Sequence, residues 1–206
     1  MGCGKSSVGR RLSELLCCHF MDLDDVIVER EGRSIPEIFA TDGEGAFRQK
    51  ELEVLQDIVH AVDAGGGGSK TESLPLRGPL PFTRPRAAMV FDSPSAGSKC
   101  IENKNIRERH LVIALGGGTV LTPECAELVQ NNTCCIYLKA SVDTLMNHLA
   151  GEAAGRPMLT DADLRTRIET LMQQRSSTYE KTAHITIDTD GKPVEAVASE
   201  IASGLN

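Results

Sequence analysis

The chain opens on Met1-Gly2-Cys3-Gly4-Lys5-Ser6-Ser7, and these few residues constrain the fold more than any other stretch. They read as the C-terminal half of a phosphate cradle, G-x-x-x-x-G-K-[ST], a loop that joins a β-strand to a helix in a parallel α/β sheet. Glycines let backbone N–H groups curl around an anion, Lys5 adds a point charge, and the helix that follows presents unpaired N–H groups and its positive dipole end. The Ser6 hydroxyl suits Mg²⁺, a hard ion that prefers oxygen donors and shared phosphates. Val8, Leu12, Leu15 and Leu16 have helical spacing, so the loop does lead into a helix. The competing reading is a glycine-rich turn that binds nothing. The leading glycine and the strand would lie before Met1, and the expectation is of a chain that begins at an internal methionine.

The rest of the chain alternates strands with helices. Phe20-Met21-Asp22-Leu23 reads as a short strand ending in acid, and Ser34-Ile35-Pro36-Glu37 as a capping box that starts a short helix. A longer helix is expected from about Gly45 to Val62, with Phe47, Leu55, Ile58, Val59 and Val62 inward. His110 to Leu115 is almost wholly apolar, as expected of a parallel strand covered on both faces. Thr133–Leu138 and Ile185–Ile187 read as strands, and Val142–Leu149, Asp161–Arg175 and Val194–Ala202 as helices. This order predicts a parallel sheet with right-handed crossovers, whose ligands gather at the carboxyl ends of its strands. Asp22, Asp24 and Gly116 to Gly118 lie at such ends.

At 206 residues the expectation is one domain, interrupted at about 64–105 by a segment holding Gly65 to Gly68 and five of the nine prolines. That segment reads as a surface insertion, with Ala87 to Phe91 as a possible short strand. Against 29 acidic residues there are 22 basic ones, a net charge of −7, which argues against bulk nucleic-acid binding. No apolar run approaches the roughly 18 residues of a membrane span, and no basic-then-apolar leader opens the chain. Seven cysteines, an odd number without C-x-x-C spacing, suggest neither a disulfide framework nor a zinc site. Reduced thiols in the cytoplasm are the plain reading, with Cys17, Cys18, Cys134 and Cys135 as small core residues.

Asp22 and Asp24 allow a division of labour, since side chains alternate along a strand: one carboxylate toward a metal and phosphate, the other toward an acceptor hydroxyl. The competing reading is a helix N-terminal acid cluster, since Asp24 and Asp25 begin a helical stretch and would favour its dipole. Arg156, between Gly155 and Pro157, sits in a loop pattern suited to closing over transferring phosphates. Arg48 and Arg175, one opening a helix and one ending another, would suit a carboxylate-bearing small substrate by two-pronged binding, or else lie on solvated faces.

Taken together, Gly2-x-Gly4-Lys5-Ser6, Asp22-Leu23-Asp24, Gly32 to Phe39, Gly43-Glu44-x-x-Phe47-Arg48-x-x-Glu51, Leu115 to Gly118, Arg156-Pro157-Met158-Leu159 and Arg175-x-x-x-Tyr179 resemble the shikimate kinase family, in family order. The resemblance implies a P-loop NTPase-type sheet flanked by helices and ATP-dependent phosphorylation of the 3-hydroxyl of shikimate with Mg²⁺, in aromatic amino-acid synthesis. It implies that Gly2, Cys3, Gly4, Lys5, Ser6 and Ser7 hold the nucleotide phosphates, with Ser6 and Asp22 serving magnesium. Asp24 would hold the shikimate hydroxyls and assist the attacking one. Arg48, Arg175 and Gly116, Gly117 and Gly118 would hold the rest of the substrate. Arg156 would close over the phosphates, and Asp188 to Pro193 would lie along the adenine. No partner beyond shikimate and ATP is implied, and a monomer is the default.

Two departures from that family stand out. The strand expected before Met1 would be the central one, and four missing aliphatic side chains at about 1.5–3 kcal/mol each would remove about 6–12 kcal/mol. That is comparable to the net stability of a domain, about 5–15 kcal/mol. Ala87 to Phe91 is one candidate for the vacant position. The second departure is at Asn147-His148-Leu149, where the family commonly places an arginine that stacks on adenine. The alternatives are a catalytically impaired remnant of the same fold and a related kinase for another polyol, such as gluconate.

Overall fold

A computed structural model of the chain describes residues 4–64, 111–152 and 161–205. Gly2, Cys3, Arg156, the segment Ala87–Phe91 and nearly all of the expected insertion lie outside these residues. The described elements run α1 (Lys5–Leu15), β1 (His19–Asp22), α2 (Leu23–Glu31), α3 (Ile35–Ala64), β2 (Leu111–Ala114), a 3₁₀ turn (Thr119–Leu121), α4 (Pro123–Asn132), β3 (Ile136–Lys139), α5 (Val142–Glu152), α6 (Asp161–Thr182), β4 (Ile185–Asp188) and α7 (Val194–Gly204).

The strands form two parallel pairs. In one, β1 lies beside β2 with His19 opposite Leu111 and Asp22 opposite Ala114. In the other, β3 lies beside β4 with Ile136 opposite Ile185 and Lys139 opposite Asp188. Among the described residues no ladder joins β2 to β3. A cavity of about 220 Å³ lies between them, walled by the backbone run Leu111–Leu115 on one side and Thr133–Leu138 on the other, with Lys5, Gly116 and Gly117 also lining it.

Alternation along β2 explains why its sequence is continuously apolar. Leu111 packs with Leu23, Ile27, Ile38 and Phe47 of α2 and α3, whereas Val112 joins Val8 and Leu12 of α1 and Val197 and Ile201 of α7. Successive side chains thus enter opposite layers, and both layers are helical. The second layer also takes Ile136 and Leu138 from β3, so the same helices cover both strand pairs.

The expected break between a short and a long helix appears as a kink within α3 at Gly43, whose φ of 82° and ψ of 172° fall in a region essentially reserved for glycine. The capping box forms: the Ser34 amide and hydroxyl both donate to Glu37 Oε2 at 2.7 Å. Four expectations need correction. Leu23 begins α2 rather than ending β1, because the Asp22 side chain caps that helix by accepting from the Asp24 amide at 3.2 Å. The third strand starts at Ile136 rather than Thr133, whose hydroxyl instead donates to the Val129 carbonyl at the end of α4. Helix α6 continues to Thr182, so Arg175 lies within it rather than at its end; nothing between Ser176 and Lys181 breaks a helix. Cys17 is exposed, in the turn after α1 with φ of 52°, and Cys18, Cys134 and Cys135 are only partly buried. The fully buried thiol is Cys125 of α4, and burial pushes it up to about 11.

Candidate functional site at the carboxyl ends of β1 and β2

Parallel pairing brings the ends of β1 and β2 to one edge of the sheet, and α1 begins there. Gly4 precedes α1 in a left-handed conformation with φ of 72°, and no side chain caps the helix. The first turn of a helix is where backbone N–H groups and the positive dipole end can meet an anion. Lys5, Ser6 and Ser7 form the first turn, with Ser7 exposed.

The Ser6 hydroxyl donates to Asp22 Oδ2 at 2.6 Å, while Asp22 Oδ1 accepts from the Asp24 amide. The Ser6 hydroxyl in the first turn of α1 and the Asp22 carboxylate at the end of β1 are oxygen donors of the kind a magnesium ion would share with phosphates. Among the described residues no group of three or more His, Cys, Asp or Glu side chains is set to hold a metal.

Asp24, just inside α2, is half-buried. Burial raises its carboxyl above the ordinary carboxylate range; the negative charges of Asp22 and Glu51 raise it further, while Lys5 opposes them. The four groups therefore sense one another electrostatically. Gly116 marks where two of them, Asp24 and Glu51, come together with Thr119: a Cβ there would lie 3.0 Å from Asp24 Oδ1, 3.0 Å from Glu51 Oε1 and 3.1 Å from Thr119 Oγ1. A side chain there would require at least one of these three oxygens to give way.

Arg48, five residues beyond the Gly43 kink, projects from α3 onto the same loop. Its guanidinium lies so close to Gly118 that a Cβ there would overlap it. Nη1 donates to Glu51 Oε2 at 2.5 Å and Nη2 to Glu44 Oε1 at 3.0 Å. Glu51 is wholly buried, and its other oxygen accepts from the Thr119 hydroxyl at 2.5 Å. A carboxylate out of water is tolerated only when paired and hydrogen-bonded, and both conditions hold here. From the other side, Tyr179 of α6 donates its hydroxyl to the Gly117 carbonyl, and Arg175 Nη1 lies 3.5 Å from the same oxygen. The two guanidinium groups thus reach adjacent residues of one loop.

Lys5, Asp24, Arg48, Arg175 and Gly116 to Gly118 are linked in this way, directly or through Glu51 and Thr119. The apolar cavity between β2 and β3 is a separate feature that touches the group only through Lys5, Gly116 and Gly117. Four residues in these contacts have no role assigned from the sequence: Glu44, Glu51 and Tyr179 stand there only as members of the motifs that carry the resemblance, and Thr119 not at all. Glu51 carried a signal, since it stands one turn after Arg48 amid Phe47, Val54 and Leu55, where a solvated acid would not be expected. Thr119 carried none.

The Shikimate kinase family model matches residues 1–74 and 98–206. A shikimate kinase of Thermus thermophilus is 32% identical over 205 residues, spanning 100% of this chain and 85% of that protein. Among solved structures, a shikimate kinase from Acinetobacter baumannii in complex with shikimate has a TM-score of 0.69 at 24% identity, covering 100% of this chain and 88% of that one. The shikimate kinase of Aquifex aeolicus gives 0.64 at 25% identity, covering 100% and 90%. The shared fold is a parallel sheet flanked by helices. With a family match over most of its length and a relative of this similarity end to end, the chain belongs to the shikimate kinase family.

Proposed function

We propose that the chain transfers the γ-phosphoryl group of ATP to the 3-hydroxyl of shikimate, an acidic cyclohexene polyol. The observation that carries the reading is the arrangement around Gly116 to Gly118: a half-buried carboxylate at Asp24 that senses the charge of Lys5, beside a loop against which the Arg48 guanidinium packs. In phosphoryl transfer the protein contributes mainly position and charge. Asp24, shifted upward by burial, is a better proton acceptor than an ordinary carboxylate and orients the attacking hydroxyl. Lys5 and the first amides of α1 offset charge on the phosphates. Arg48 and Arg175 hold the substrate carboxylate, and Gly116 to Gly118 bring the loop backbone against the ring. Ser6 and Asp22 are the residues that would hold Mg²⁺, which when bound neutralises phosphate charge. Arg156 completes the nucleotide side by resemblance. The free thiols and the ATP requirement fit a cytoplasmic enzyme acting as a monomer, and no helix among the described residues is long and apolar enough to cross a membrane.

A second reading, binding without turnover, is favoured by one observation: among the described residues no ladder bridges β2 and β3. An assay coupling ADP release to NADH oxidation, with shikimate or gluconate as acceptor, separates the readings. Turnover with shikimate alone is expected. Shikimate binding without ADP release supports the second reading, and gluconate as the better substrate overturns the first.

A further inference from the structure

Arg48 faces two carboxylates of opposite character. Glu51 is wholly buried, bonded at 2.5 Å, and committed through its other oxygen to Thr119. Glu44, one turn before Arg48 on the same helix, meets Nη2 at 3.0 Å with its side chain 68% exposed. A buried carboxylate cannot leave without stranding its partner, whereas an exposed one exchanges freely with water. Gly118 closes one side of the guanidinium and Glu51 holds one nitrogen, so the outward edge at Nη2 is the part left to an incoming acid. Glu44 occupies that edge.

We propose that Glu44 is a displaceable stand-in for the substrate carboxylate: it occupies the outer edge of Arg48 in the ligand-free site and is expelled when an acidic substrate docks, lowering affinity for every acid that binds there. The inference rests on the reading of Arg48 as the carboxylate grip. It makes Glu44 a specificity-setting residue that acts through Arg48. Docking must break an exposed (i, i+4) ion pair, worth about a factor of two, and overcome repulsion between two nearby carboxylates, worth about a further factor of two to five in a solvated site. Removing the charge at Glu44 should therefore tighten binding of the acid about three- to tenfold.

The test compares the native chain with E44Q and E44A by isothermal titration with shikimate and with its uncharged carboxamide, and by steady-state kinetics. Thermal melts confirm that the variants are folded. Both variants are expected to bind shikimate about three- to tenfold more tightly, with KM for shikimate falling and KM for ATP unmoved, while carboxamide binding stays as it was. Unchanged or weaker shikimate binding in folded variants overturns the role of Glu44 alone, as does an equal gain for the carboxamide. A native chain that binds neither ligand overturns the reading of Arg48 and this inference with it.

Discussion

Filling the groove between β2 and β3 should raise the stability of this chain by several kcal/mol. The perturbation is a five-residue aliphatic strand joined to Met1. Lys5 and Gly116 line the groove, so a segment entering beside them is placed to run between Leu111–Ala114 and Ile136–Lys139. The free space is about 220 Å³ and is lined mostly by apolar residues. Four buried aliphatic side chains contribute about 6–12 kcal/mol. Ordering five residues takes back about 5–7 kcal/mol. At the midpoints of these ranges the difference is about 3 kcal/mol, a large part of the total for a domain of about 5–15 kcal/mol. Urea unfolding followed by circular dichroism measures the change. With a slope of about 2 kcal/mol per molar, the midpoint should rise by about 1.5 M, and the slope should grow as more surface becomes buried. A matched extension of Ser, Lys and Glu residues should leave the midpoint in place. If the aliphatic strand also leaves it in place, the groove does not accept a strand and the reasoning fails.

Three further outcomes are expected. Glu51→Ala should destabilise the fold by about 3 kcal/mol in urea titrations, because it strands Arg48 and the Thr119 hydroxyl together, and Glu51→Gln should cost less because the amide still reaches Thr119. Asp24→Asn should lower kcat about 10²- to 10⁴-fold. The same variant should be more stable than the native chain near pH 7: a carboxyl raised in the folded state favours folding only while protonated, and that support is lost as pH rises from the unfolded value of about 4 through the raised folded one. Its advantage in thermal melts should therefore shrink below about pH 4, and an advantage independent of pH would contradict the upward shift. Gly43→Ala should cost about 1–3 kcal/mol in unfolding experiments, since alanine does not tolerate the kink's backbone angles.

Local chemistry made much of this molecule legible in advance. The Ser34–Glu37 box and the apolar run at Leu111 each carry their cause within a few residues, and the corresponding elements formed there; a new helix was expected from about Gly45, and the fold put the break at Gly43. What was hidden depends on contacts distant in sequence. Thr119 acquires its partner 68 positions away, and no spacing rule announces that. Helix α4 was overlooked although Thr122-Pro123-Glu124 carries a helix start, because the apolar spacing behind it is weak. Cys17 was misplaced because an apolar run ending in a tight turn looks the same on paper as one that continues inward. The site residues were readable as motifs, but the buried counter-ion that makes Arg48 a fixed feature required the fold.

The bonds from α6 to the Gly117 carbonyl reach further than the atoms they join. That oxygen and the Gly118 N–H belong to one rigid plane and point in opposite directions across it. By anchoring the oxygen end, Tyr179 and Arg175 orient the hydrogen end away from their own helix. Helix α6 thereby steers a donor it never touches, and a change along its length reaches the loop as a rotation of that plane.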